Sequence, residues 1–183
     1  MITIRAKLYK TPWKLRWKYL FNWLISIRTL SKYSHIGLWF ADDKGFFRSP
    51  WVQVADKRIK YYGTCYTSTM RGEANGTVRR PASEVLTHPE NWDIIEFEVT
   101  DEQYTSLRMI LDIEVDKNKG YSKWDILKFI FPIHFPDNKR WICSELVNEM
   151  LVYIGVLSGD GIVSPQGVVK KFKKLGLVPK SLV

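Results

Sequence analysis

The sequence predicts a single α+β domain over residues 1–183, with helices segregated from a mostly antiparallel sheet. Segments at 2–8 and 93–99 alternate apolar and polar residues, the period of a half-buried strand. Later segments instead repeat apolar residues every three or four positions, the period of a helix that buries one face. The order strand, helix, several strands and then helices is typical of α+β folds, and 183 residues can bury one core.

Composition and charge narrow the class of protein. Hydrophobic residues make up 45% and aromatic residues 14% of the chain, so we expect an ordered domain. The net charge of +9 predicts attraction to anionic partners such as nucleic acid, lipid headgroups or acidic cell-wall polymers. Two cysteines do not make a disulfide framework, so we expect free thiols in a reducing compartment. No signal peptide or membrane-spanning segment is visible, which predicts a cytoplasmic protein.

Most of the strands are predicted in the first half of the chain. After the strand at 2–8, Thr11-Pro12 is the start signal of an amphipathic helix that reaches about residue 27. This aromatic and basic helix is expected to pack on its own domain, and a membrane-surface helix is the alternative. Tyr33–Phe40 (YSHIGLWF) is predicted to be a buried strand, and 61–69, 77–80 and 93–99 supply further strands.

Three helices are predicted in the second half. Thr100 and Gln103 form a capping box at the start of a helix that runs to about residue 117. A second helix begins near Cys143, where the proline-containing segment 132–138 ends, and continues to about residue 155. Ser164-Pro165 then opens a basic helix that continues over 167–174.

Cys143 lies at the start of its predicted helix, where a nucleophilic thiol would be activated. Unpaired backbone N–H groups and the positive end of the helix dipole both stabilise a thiolate there. A cysteine nucleophile also needs a base, and a third polar group usually orients that base. Free cysteines are often buried for packing alone, so position by itself slightly favours a structural Cys143.

Three histidines are candidates for the base. His88 precedes a proline and is expected to be a solvated loop residue, and His134, between two prolines, is a less favoured base in the same cleft as Cys143. His35 stands at the start of an apolar strand, where the fold would hold its ring rigidly. On the residues alone, a structural histidine and a catalytic base are equally supported at position 35.

These motifs together resemble the circularly permuted branch of the NlpC-type papain-like hydrolases, including YiiX-like bacterial proteins and lecithin–retinol acyltransferases. Tyr33-Ser34-His35, preceded by an amphipathic helix, also looks like bacteriophage and bacterial members of this group. The resemblance spans about residues 2–170 and implies a papain-like fold with Cys143 and His35 as a catalytic pair. It rests on Ser34-His35-Ile36-Gly37 and Cys143-Ser144-Glu145-Leu146-Val147, with looser matches at Gly76-Thr77-Val78, Gly120-Tyr121 and Ser164-Pro165.

The resemblance also implies a third polar residue on the strand after the histidine strand. Thr67, Ser68, Thr69 and Glu73 are available there, and alignment favours Ser68 or Glu73. In the implied mechanism His35 takes the proton of Cys143, and the thiolate attacks a carbonyl to give a thioester. Amide bonds of peptidoglycan-type peptides are the implied substrates, and acyl-lipid esters are the runner-up.

Other chemistries have little support in the sequence. No cofactor or metal is expected, because the cysteines and histidines lack zinc-ligand spacing and no phosphate-binding glycine loop is present. The rival to an enzyme is a basic binding protein, whose lysines and tryptophans would contact nucleic acid. No nucleic-acid motif accompanies them, so a specific nucleic-acid partner is not expected. The net charge still favours an anionic surface, either a cell wall or a membrane.

Overall fold

A six-stranded antiparallel sheet forms the centre of the fold, which confirms the α+β class. The computed structural model describes residues 1–10, 31–41, 61–69, 75–117, 120, 142–159 and 163–183. The strands are β1 (Ile2–Lys10), β2 (Tyr33–Phe40), β3 (Thr64–Thr69), β4 (Gly76–Pro81), β5 (Trp92–Val99) and β6 (Lys180–Ser181). Their spatial order is β4-β3-β2-β1-β5-β6, and neighbouring strands are antiparallel.

Four α-helices accompany the sheet in the described residues. They are α1 (Ala82–Val85), α2 (Asp101–Asp116), α3 (Cys143–Tyr153) and α4 (Pro165–Lys174). The three longer helices and the first five strands lie within a few residues of their predicted positions, whereas α1, a 3-10 turn at Pro89–Asn91 and β6 were not predicted. The predicted helix at 11–27 and the candidates Glu73 and His134 lie outside the described residues.

The N-cap of α3 differs from those of the other two long helices. Thr100 Oγ1 accepts from the Gln103 N–H of α2 at 3.1 Å, and Gln103 Oε1 accepts from the Thr100 N–H at 2.9 Å, the predicted capping box. Ser164 Oγ similarly accepts from the Gly167 N–H of α4. The N-cap residue of α3 is Ile142, whose side chain cannot accept a hydrogen bond.

The two faces of the sheet have separate apolar cores. The side chains of β1 and β2 alternate between these faces, as the period of a strand requires. The first core lies under α2, α3 and α4 and includes Ile4, Ala6, Leu8, Ile36, Leu38, Phe40, Cys143, Leu146 and Val147. The second core, on the opposite face, contains Trp39, Cys65, Ala82, Leu86, Trp92 and Ile94.

The direction of α3 over the sheet follows from contacts at its C-terminal end. Gln103 Nε2 donates to the Ile154 carbonyl at 2.7 Å, and the neighbouring Tyr104 ring stacks edge-on against Phe40 at the end of β2. The C-terminal end of α3 therefore lies near the end of β2. The helix packs on β2 and β3 and has 11 residues, a length of about 16 Å.

Candidate active site

His35 is held within the sheet by its strand and by a neighbouring hydroxyl. It lies in β2, opposite Tyr9 of β1, and only 9% of the residue is exposed. Its Nε2 atom is 2.9 Å from Oγ1 of Thr67 on the adjacent strand β3. The imidazole is thus buried and contacts a polar side chain on the next strand.

The proton on the Thr67 hydroxyl determines which imidazole nitrogen is basic. Thr67 Oγ1 lies 3.0 Å from the Ile36 carbonyl oxygen, which can only accept a hydrogen bond. We assign the single hydroxyl proton to that carbonyl, the nearer of the two carbonyl oxygens around it, so that the hydroxyl oxygen accepts from Nε2–H of His35. This accounting assigns the neutral ring the Nε2–H tautomer and leaves the lone pair on Nδ1.

The polar residue of β3 that contacts His35 is Thr67 and not Ser68, which the sequence favoured. Ser68 is fully buried on β3, but successive side chains of a strand point to opposite faces. Since Thr67 meets His35, its neighbour Ser68 points to the other face of the sheet, so the choice of Ser68 is corrected to Thr67. Glu73, the other favoured candidate, lies outside the described residues.

Cys143 is the first residue of α3, as predicted, and 5% of it is exposed. No side chain at the N-cap accepts a hydrogen bond from the first turn, and only half of a capping box is present. In that half, Glu145 Oε2 accepts from the Ile142 N–H at 3.3 Å. The N-terminus of α3 thus lacks the side-chain hydroxyl cap that α2 and α4 both have, and Cys143 is its first residue.

The start of β2 departs from regular pairing beside His35. Tyr9 pairs with His35 and Lys10 with Tyr33, so Ser34 is an extra residue, a β-bulge. Side chains at 35, 37 and 39 share the face of the second core, whereas Cys143 belongs to the first core. The bulge therefore interrupts the regular alternation of β2 directly before His35.

A buried carboxylate anchors the same end of the sheet. Asp93 of β5 accepts hydrogen bonds from the Tyr33 hydroxyl at 2.6 Å and Lys32 Nζ at 2.8 Å, and pairs with Lys10 Nζ at 3.2 Å. Burial opposes the charged carboxylate, but these donors outweigh it and lower the pKa of Asp93. Burial and the hydrogen bond to Asp93 raise the pKa of Tyr33 to about 12. The anchor ties β1, β2 and β5 together two residues before His35.

Lys7 is a charged residue of the His35 face that sequence reasoning missed. It is fully buried opposite Gly37, and its ammonium lies 5.0 Å from the centre of the Trp92 ring. A side-chain carbon at Gly37 would lie 2.8 Å from Lys7 Cε, so glycine is needed for the lysine to cross the strand. The available signal was its position in β1, which alternates with Ala6 and Leu8 of the first core.

The remaining titratable candidates are structural or exposed. Burial raises the pKa of the Cys65 thiol, an effect that Lys7 partly offsets, so Cys65 is a poor nucleophile. His88 is exposed beside Glu90, as predicted. Among the described residues, no three His, Cys, Asp or Glu side chains converge as a metal site. None of the helices described is both long and apolar enough to cross a bilayer.

Scanning the chain against protein-family models finds no matching family, and a search of curated proteins finds no significant match.

Proposed function

We propose that the protein is a papain-like cysteine hydrolase in which Cys143 is the nucleophile, His35 the base and Thr67 the group that orients the base. The observation that carries this proposal is the 2.9 Å separation of His35 Nε2 and Thr67 Oγ1. With the tautomer assigned above, the basic nitrogen of the imidazole is Nδ1. The position of Cys143 as the first residue of a helix without a side-chain N-cap supports the same assignment.

The proposed reaction begins with proton transfer from Cys143 Sγ to His35 Nδ1. The thiolate attacks the carbonyl carbon of an amide, and the Cys143 backbone N–H stabilises the oxyanion at the positive end of α3. The imidazolium returns its proton to the leaving amine as the C–N bond breaks, which leaves a thioester. Water then attacks the thioester with His35 as base, releasing the acid and restoring the thiol.

The part assigned to Thr67 is orientation. Its hydroxyl accepts from Nε2–H whether the ring is neutral or protonated, so the same hydrogen bond persists through the cycle. A hydroxyl carries no charge and stabilises the imidazolium less than a carboxylate would. We therefore propose an amidase in which the protonated base is stabilised only by a neutral hydroxyl. Its substrates are peptide-type amides such as those of peptidoglycan.

The test is the rate of iodoacetamide alkylation at Cys143 as a function of pH, with and without His35→Ala. We expect Cys143 of the wild-type protein to react well below the pKa of an ordinary thiol, about 8.5. His35→Ala should remove this advantage. Mass spectrometry of the labelled peptide separates Cys143 from Cys65, which is 1% exposed and serves as the internal control.

A Cys143 that titrates like a free thiol, or reacts only after unfolding, would contradict the proposal. His88→Ala is the matched control, because His88 is exposed, lies 3.3 Å from Glu90 and has no proposed role. It should leave the pH profile of Cys143 unchanged. A reactive Cys143 then justifies measuring the hydrolysis of peptide amides.

A further inference from the structure

The C-terminal end of α4 has an unusual concentration of exposed positive charge. Residues 163–183 contain five lysines and no aspartate or glutamate. Lys171 is used internally, since its ammonium contacts Asn148 Oδ1 and the Gly159 carbonyl oxygen. The other four, Lys170, Lys173, Lys174 and Lys180, are exposed.

Exposed apolar side chains lie among these lysines. Leu175 is 54% exposed and Val178 is 55% exposed, while Phe172 in the last turn of α4 is fully buried. The backbone explains this division. Gly176 has a φ of 78°, and the Leu177 N–H donates to the Phe172 carbonyl at 3.1 Å, which reverses the chain at the end of the helix. Leu177 returns to the first core, and Leu175 and Val178 remain outside it.

Part of this charged and apolar surface forms a groove. Lys173, Val178 and Pro179 line it together with Lys32 and Tyr33 at the start of β2, whereas Leu175 lines a second groove that also contains Glu96 and Glu98. We name Lys173, Lys174, Leu175, Val178 and Lys180 the α4 tip. Exposed aliphatic side chains flanked by lysines match the layers of an anionic bilayer, in which headgroup phosphates lie just above the acyl chains.

We propose that the α4 tip is a peripheral docking site for an anionic lipid surface. The lysines contact headgroups, and Leu175 and Val178 enter the boundary between headgroups and acyl chains. A dissolved polyanion would use the lysines alone and leave the two aliphatic side chains in water. The surface lies outside the proposed catalytic residues, so lipid docking is independent of whether Cys143 is reactive.

The test is co-sedimentation of the full chain with vesicles of phosphatidylcholine containing phosphatidylserine. We expect binding that weakens with added salt and is much lower on pure phosphatidylcholine vesicles. Lys173→Gln/Lys174→Gln/Lys180→Gln should weaken binding about 100-fold, from the attraction of each lysine to an anionic surface. Leu175→Ser/Val178→Ser should weaken it about tenfold, from the lost apolar burial.

The matched control is Met109→Ser/Ile113→Ser on α2, where the two side chains are 58% and 43% exposed. This variant should bind vesicles like the wild type, because its lost apolar area lies on another helix. Circular dichroism should show all variants folded. A wild-type chain that does not bind the anionic vesicles overturns the proposal. A Leu175→Ser/Val178→Ser variant that keeps full vesicle affinity overturns it too. In that case, binding of soluble polyphosphate that the three lysine substitutions weaken would identify a polyanion site.

Discussion

At the scale of single residues, Thr67 is the most informative side chain near His35. With its one hydroxyl proton assigned to the Ile36 carbonyl, its oxygen accepts from the His35 Nε2–H. The hydroxyl therefore determines both the tautomer and the orientation of the imidazole. A methyl group in place of the hydroxyl would fill the same space but would fix neither the tautomer nor the orientation of the imidazole.

We expect Thr67→Val to slow alkylation of Cys143 near neutral pH by up to about tenfold, since one hydrogen bond to the base is lost. Thr67→Ser keeps the hydroxyl and should retain the wild-type pH profile. A purely structural Thr67 predicts the reverse pattern, with an altered melting temperature and an unchanged profile for Cys143. The measurement is the pH dependence of alkylation in all three proteins.

Ser34, the bulge residue before His35, allows a test of what an unsatisfied buried hydroxyl contributes to stability. It is 4% exposed, and in the described part of the chain its Oγ has no hydrogen-bond partner. A buried hydroxyl without a partner loses its hydration on folding and gains nothing in return. Ser31 is the contrast, because its Oγ accepts from the Tyr33 N–H at 2.9 Å.

We expect Ser34→Ala to leave the free energy of unfolding unchanged within about 0.5 kcal/mol, or to raise it. Ser31→Ala should lower it by about 1–3 kcal/mol, since the buried Tyr33 N–H loses its acceptor. Urea denaturation of the two variants measures the difference. An equal loss in both would mean that Ser34 has a partner, such as a bound water, that the contacts above do not include.

At the scale of elements, sequence patterns predicted the strands and helices well because their signals are local. The alternation of residues 2–8, the Thr100–Gln103 capping box and the Ser164 cap each lie within a few residues of the structure they specify. The identity of the residue beside His35 depends instead on the register between β2 and β3. Leu38 pairs with Tyr66, and a shift of one residue would exchange Thr67 for Ser68. No local pattern encodes that register.

The Asp93 anchor is also non-local, since Asp93 and Tyr33 are 60 residues apart in the chain. Asp93 lies in a strand whose apolar residues alternate toward the first core, so its pattern alone predicts only a strand end. The carboxylate joins β5 to the start of β2 through Tyr33 and Lys32 and to β1 through Lys10. It thereby fixes the end of the sheet that carries the bulge and His35.

We expect Asp93→Asn to lower the free energy of unfolding at neutral pH by about 1–3 kcal/mol, because two lysines lose a charged partner. The folded-state pKa of Asp93 is lowered, so its stabilisation is present above the pKa of an unfolded aspartate, about 3.9, and is lost as pH falls through the folded value. The gap between wild type and variant should therefore close below about pH 4. Urea denaturation at several pH values checks this, and a gap that persists in acid would contradict it.

At the scale of the whole molecule, the sheet separates two cores that share its strands. The first core holds Cys143 under α3, and the second holds Cys65 on the opposite face. Strands that contribute to both cores should couple them, so the predicted single domain should unfold in one transition. The buried Cys65 reports on this coupling, since alkylating agents reach it only when its face of the sheet opens.

Gly37 is a position where an added side chain would disturb the packing of β2 against both neighbouring strands, β1 and β3. An added side-chain carbon would lie 2.6 Å from the Tyr66 carbonyl oxygen, 2.8 Å from Lys7 Cε and 3.0 Å from Thr67 Cβ. The carbonyl belongs to the backbone of β3 and cannot rotate away. We expect Gly37→Ala to lower the free energy of unfolding by about 1–3 kcal/mol, the usual range for overpacking.

The measurement is Cys65 alkylation against urea concentration in a Cys143→Ser background, beside the far-ultraviolet circular dichroism signal. For one cooperative domain the two midpoints coincide, and Gly37→Ala moves both to lower urea by the same amount. Alkylation of Cys65 at urea concentrations where the helical signal is intact would show that the second core opens by itself. The chain would then consist of two units, and the prediction of one domain would be wrong.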